Sequence, residues 1–153
     1  MQDFRRYIDK LKSSGLRPTK QRLLISRFLF GSNETFHFTV EKLSKMIEKN
    51  SKKKISLATI YNTIHVFKKN GYLKEIAIDG NKTYFDTNTS SHHHFYDEDA
   101  EKLIDIKNSK IFVKDIPNSP SGKKIKGVEV LVRIAGDNQN QLKFNKNNKN
   151  NIL

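Results

Sequence analysis

Residues 56–71 read SLATIYNTIHVFKKNG. Ser56 is a good helix N-cap, because its hydroxyl can accept a bond from a free N–H of the first turn. Gly71 stands where a left-handed residue closes a helix, and Lys68 and Lys69 fall in the last turn, the end that favours cations. Leu57, Ile60, Ile64 and Phe67 repeat at helical spacing and predict one apolar stripe. The opposite face carries Ala58, Thr59, Asn62, Val66 and Lys69, with Tyr61 at its edge. Small, hydroxyl and amide side chains without an acid suit a helix in a major groove, where Asn pairs with adenine and Thr or Ala touches a thymine methyl. Taken alone, the stretch reads better as a core helix with an ordinary solvated face, because such patterns are common. Its surroundings decide.

The chain has 153 residues, enough for one domain or two small ones. Lysine and arginine number 29 against 16 acids, a formal net charge of +13. An excess of that size points to an anionic partner. There is no cysteine, which excludes disulfides, thiolate zinc sites and cysteine nucleophiles. No apolar run resembles a signal peptide or spans a bilayer, so a cytoplasmic protein that does not enter a membrane is expected.

Upstream, residues 2–11 predict a short basic helix ended by Ser13, Ser14 and Gly15. Thr19 predicts a cap for a helix to about Phe30, with Leu23, Leu24, Phe28 and Ile25 or Leu29 inward. Arg17, Lys20 and Arg22 crowd its start, an unfavourable place for cations unless a phosphate backbone lies there. Thr39 opens a third helix with Val40, Leu43, Met46 and Ile47 inward, ending near Asn50. Two helices joined by the short basic segment 51–55 fit a helix-turn-helix. After Gly71 the period becomes two: YLKEIAID, the turn Asp79-Gly80-Asn81, then KTYFDT. Helices followed by this hairpin predict a winged helix over residues 1–87, with Lys82 near the wing tip. Residues 88–91, NTSS, read as a hinge. Residues 92–136 read as a small β-rich unit with strands at 103–106 and 128–134, a further candidate at 111–113, and a loop over 117–122. Such a unit is too small to stand alone, and pairing of two copies would complete it. From Asp137 the Asn/Lys-rich tail is expected to be disordered.

Five histidines occur: His37, His65, His92, His93 and His94. In an extended strand His92 and His94 share one side and His93 takes the other. His94 and Tyr96 share a face. Three adjacent imidazoles beside acids predict a ligand role, for iron, zinc or another transition ion, or for haem through two imidazoles.

These segments together resemble the ferric uptake regulator (Fur) superfamily. The residues that carry the likeness are GLRPTKQRLLI (15–25), SLATIYNTIHVFKKNGYLKE (56–75), DGNKTYFDT (79–87) and the HHH run. YNTIHVF, YFDTNTSSHHHFYDEDAEKLIDI and DIPNSPSGKKIKGVEVLVRI are similar to the Irr-type iron- and haem-response branch. The resemblance spans about residues 10–135. It implies an α+β protein with an N-terminal winged helix-turn-helix domain and a small C-terminal α/β dimerisation domain. It puts Tyr61 and Asn62 on the recognition helix and Arg17 near the minor groove. It implies that His37, Asp86 and His94 are ligands of the family's interdomain regulatory site, and that His93 and Asp105 belong to a second site. In Irr-like relatives the HHH run, with His37 and His65, is associated with haem.

The chain also departs from the family. Tyr96 stands where many relatives carry a histidine, and a phenolate ligand favours ferric iron. The paired CxxC zinc motifs and any Cys-Pro haem motif are absent, so no four-cysteine structural zinc is expected. No histidine follows His94. A loop with Pro117 and Pro120 replaces the long helix of the dimerisation domain. The expectation is a homodimeric, iron-responsive regulator of the haem-sensing kind, binding AT-rich palindromic double-stranded DNA and not an enzyme. A bare iron, manganese or zinc ion as co-regulator is the alternative. Expected DNA contacts are Arg17, Lys20, Thr59, Tyr61, Asn62, Lys69 and Lys82. Expected metal ligands are His37, Asp86, His93, His94, Tyr96 and Asp105. Expected haem residues are His37, His65, His92, His93 and His94.

Overall fold

The computed structural model describes residues 2–107 and 110–137. The tail expectation for residues 138–153 lies outside them. Helices and sheets are mixed, in the α+β class. In order they are α1 (Gln2–Ser13), α2 (Lys20–Phe30), β1 (His37–Phe38), α3 (Val40–Ser51), α4 (Leu57–Lys69), β2 (Lys74–Asp79), β3 (Lys82–Asp86), β4 (His93–Asp97), β5 (Lys102–Ile106) and β6 (Leu131–Ile134). The chain divides into two units after Ser90. No helix among the described residues is long and apolar enough to cross a membrane.

Three helices of the first unit begin at hydroxyl caps. Thr19 accepts from the Arg22 N–H at 3.3 Å, Thr39 from Lys42 at 3.2 Å and Ser56 from Thr59 at 3.1 Å. Each bond satisfies a first-turn donor that the helix itself leaves open. The end of α4 is equally defined. Gly71 has φ +76°; its N–H donates to the Lys68 carbonyl and that of Tyr72 to the Phe67 carbonyl. This is the paired bonding of a Schellman motif, with Phe67 and Tyr72 in the usual apolar contact, ring centroids 6.0 Å apart. A Cβ at Gly71 meets nothing within 4 Å, so Gly71→Ala is expected to lose only the backbone preference, about 1–2 kcal/mol. A urea midpoint that falls at constant slope checks it.

The buried side of α4 is Ile60, Thr63, Ile64 and Phe67. Leu57, expected inward, is exposed in the first turn. Thr63 is buried instead, because its hydroxyl donates to the Thr59 carbonyl at 2.8 Å and leaves its methyl for packing. In α2 the fully buried positions are Ile25, Ser26 and Leu29, while Leu23, Leu24 and Phe28 are partly covered. Ser26 is accommodated by the same device, donating to the Arg22 carbonyl. Leu43 and Ile47 from α3 complete the core with Leu11, Ile55 and Leu73. Lys10 of α1 lies over the Tyr72 and Phe30 rings at 3.8 and 4.3 Å, and burial lowers its pKa.

The first sheet has the order β1-β3-β2, all antiparallel. Its turn is held by Asp79, whose Oδ1 accepts from the N–H groups of Asn81 and Lys82 at 3.0 Å. The two-residue strand β1 had no sequence signal. It is fixed at its edge by Thr87, whose hydroxyl oxygen accepts the Phe36 N–H at 3.0 Å. The second sheet has the order β5-β4-β6, with β4 antiparallel to β5 and parallel to β6. The strand expected at 128–134 is shortened to Leu131–Ile134, and residues 111–113 form no strand.

Candidate metal centre and nucleic-acid face

In the first unit, pairing of β1 with β3 sets His37 directly opposite Asp86. His37 Nε2 lies 3.3 Å from Asp86 Oδ2. Asp86 is fully buried, and its other oxygen accepts the Asn88 N–H at 2.7 Å. A carboxylate so far from water needs a compensating positive charge or further hydrogen bonds.

In the second unit, the antiparallel register puts His94 opposite Asp105. His92 precedes it by two residues and lies on the same side. Nε2 of His92 and of His94 are 3.4 and 3.5 Å from the same Asp105 oxygen, and the two rings are 4.5 Å apart. The imidazoles are buried, whereas the Asp105 side chain is 42% exposed, which leaves an approach from solvent.

These separations fit ligand atoms better than hydrogen-bonded ones. Two donors each about 2.0–2.1 Å from a tetrahedral ion stand about 3.3 Å apart, whereas a charge-assisted N–H···O bond closes to about 2.7–2.9 Å. All three N···O distances match the first value. Imidazole with carboxylate suits divalent iron, manganese or zinc, and the lack of thiolate removes the softest preferences. The same convergence disfavours haem at this pair. Two imidazoles aimed at one carboxylate oxygen leave no room for a porphyrin plane between them.

The other expected ligands stand elsewhere. His93 faces the opposite side of β4, where its Nδ1 accepts the Val130 N–H at 3.1 Å. Asp105, expected beside His93, therefore faces His92 and His94. Tyr96 follows on the His94 side, buried, with the Arg133 guanidinium 5.8 Å from its ring. His65 lies on the exposed side of α4, its ring nearly parallel to that of Tyr61 at 6.1 Å. The sequence read Asp105 only through resemblance; its pairing with His92 depends on strand register, which no local signal supplied.

The exposed side of α4 comprises Leu57, Ala58, Tyr61, Asn62, His65 and Lys69. It is rotated toward Tyr61 and His65 relative to the face expected from sequence. Tyr61 is 54% exposed. Thr59 is drawn inward, its hydroxyl 2.9 Å from that of Ser56. Arg17 and Lys20 are exposed at the start of α2, and the Arg17 carbonyl is held by Arg22 at 3.0 Å. Lys20 shares a cavity of about 250 Å³ with Lys53 and Lys54. Lys82 is half-buried at the turn of the hairpin.

The chain is an α+β protein whose helices and two small sheets bring imidazoles and carboxylates to the spacing of groups that could hold a metal ion. The chain belongs to the ferric uptake regulator family, which it matches over residues 13–132. It is 35% identical over 99 residues to the peroxide-responsive repressor PerR of Staphylococcus aureus strain Mu50, a match covering 65% of each chain. The likeness thus spans just under two thirds of that relative's length. The fold is also that of the ferric uptake regulator from Pseudomonas aeruginosa with manganese, at a TM-score of 0.62 and 19% identity, covering 85% of this chain and 97% of that one. The Vibrio cholerae ferric uptake regulator gives 0.64 and 20%, covering 84% and 98%.

Proposed function

We propose that the chain is a metal-responsive transcriptional regulator that binds AT-rich, palindromic double-stranded DNA as a homodimer. The observation that carries the reading is the pair of ligand sets, His37 with Asp86 and His92 with His94 and Asp105, each at the spacing of atoms around an ion. Family membership supports it. In this reading the first unit is a winged helix-turn-helix domain and the second a dimerisation domain. The family is one of regulators, so the ion serves as co-regulator and not as a catalyst.

A divalent iron, manganese or zinc ion would place positive charge beside the buried Asp86 carboxylate and the half-open Asp105 carboxylate. The imidazoles bind as neutral ligands, so affinity falls with acidification. Ion binding changes operator affinity only by the difference in ion affinity between the DNA-competent and incompetent conformations. The Irr-like haem response finds no support in the geometry of His92 and His94, and a bare ion fits it better.

Tyr61 and Asn62 read bases from α4, while Arg17, Lys20, Lys69 and Lys82 hold phosphates. Selection of bound DNA from a random pool, followed by footprinting, tests this. Tyr61→Ala with Asn62→Ala is expected to abolish sequence preference and keep non-specific binding. Retention of preference in the double variant overturns the assignment. A dimer neutralising about 6–10 phosphates is expected to lose about 10³–10⁵ in affinity from low to moderate salt.

A further inference from the structure

Of the five histidines, four are engaged within the protein. His37 stands against Asp86, His92 and His94 stand against Asp105, and His93 accepts the Val130 N–H. His65 is left over. It is exposed on α4, and neither of its nitrogens makes a hydrogen bond or ion pair among the described residues. The ring is nevertheless oriented. It lies nearly parallel to the Tyr61 ring, with 13° between the planes and 6.1 Å between the centroids. A ring held by stacking turns its polar edge one way, which lowers the ordering cost of a contact made there.

Tyr61, His65 and Lys69 follow one another at four-residue spacing on the exposed side, each about 6 Å further along α4. That step is close to two base-pair rises of about 3.4 Å. None of the exposed residues of this side is acidic, so nothing there repels a nucleic acid or competes for the imidazole. In either charge state the ring offers an N–H. Guanine answers it with two adjacent acceptors, N7 and O6, whereas adenine sets an amine beside its N7 and thymine a methyl beside its O4.

We propose that His65 reads sequence: its imidazole N–H donates to N7 or O6 of a guanine in each half-site, about two base pairs from the position that Tyr61 reads. The proposal rests on the DNA-binding reading of α4 above, and adds to it a specificity residue and the base it selects. Thr59, expected from sequence to share the reading face, is drawn inward to the Ser56 hydroxyl; His65 takes an outward place beside Tyr61 and Asn62.

Selection of bound DNA from a random pool tests it for wild type, His65→Ala, His65→Phe and Tyr61→Ala. Wild type is expected to enrich a guanine about two base pairs from the position that Tyr61→Ala randomises. His65→Ala and His65→Phe should lose that guanine alone and keep the rest of the preference. Phenylalanine keeps a ring against Tyr61 without an N–H, so it separates hydrogen bonding from stacking. On the selected operator, replacing the guanine by adenine should weaken wild type at least about fivefold, the low end of the cost of one mismatched pair. The same replacement should leave both His65 variants unaffected, as read by fluorescence anisotropy. His65 is exposed, so circular dichroism should be unchanged. A wild type that selects no sequence at all overturns the DNA-reading assignment of α4. A wild type with preference but no guanine at that spacing, either His65 variant retaining the guanine, or His65 variants that lose preference throughout the half-site, overturns the role of His65 alone.

Discussion

Replacing His92 and His94 together by alanine is expected to lower divalent-ion affinity by more than the 10–100-fold that follows loss of an outer-shell partner. Both imidazoles aim at one Asp105 oxygen, so their removal leaves a single, 42% exposed carboxylate in that set. A lone exposed carboxylate holds a divalent ion poorly. Isothermal titration with manganese(II) checks the loss. His93→Ala is the informative control. Its Nδ1 is engaged by the Val130 N–H on the other side of β4, so ion affinity should change far less. Comparable losses in the two variants would mean that His93 turns to the ion, contrary to the strand's alternation.

Phe67→Ala is expected to destabilise the first unit by about 3–5 kcal/mol. Phe67 is fully buried and meets Phe30 edge-on at 5.3 Å and Tyr72 at 6.0 Å. It also supplies the carbonyl that closes α4, so its loss opens a cavity where three segments join. Against a total of about 5–15 kcal/mol for a typical domain, such a change leaves a substantial unfolded fraction on warming. Leu57→Ala, in the exposed first turn of the same helix, should stay within about 0.5 kcal/mol. Urea unfolding of the two variants compares them directly.

The contrast between those residues shows what the sequence carried. Helix starts were legible because Thr19, Thr39 and Ser56 act on N–H groups three residues away. Gly71 and the Asp79-Gly80-Asn81 turn were legible for the same local reason. Periodicity mistook Leu57 for core because it weighs hydrophobicity and not position in the first turn. It passed over Thr63, whose hydroxyl is satisfied by its own helix. Pairings between distant segments were not legible. The two-residue β1 shows no alternation, yet it sets His37 opposite Asp86. The parallel pairing of β6 with β4 likewise depends on segments more than thirty residues apart. Part of the ligand set could therefore be named through resemblance, but the grouping of His92, His94 and Asp105 emerges only from the register of β4 with β5.

The most direct measurement is operator affinity with and without manganese(II), followed by fluorescence anisotropy on the selected DNA. It should be made for wild type and for His92→Ala with His94→Ala. A regulator that responds through these ligands shows a metal-dependent shift in wild-type affinity that the double variant lacks, while non-specific binding is equal in both. A wild-type affinity indifferent to the ion, or a shift of equal size in the variant, would contradict the account.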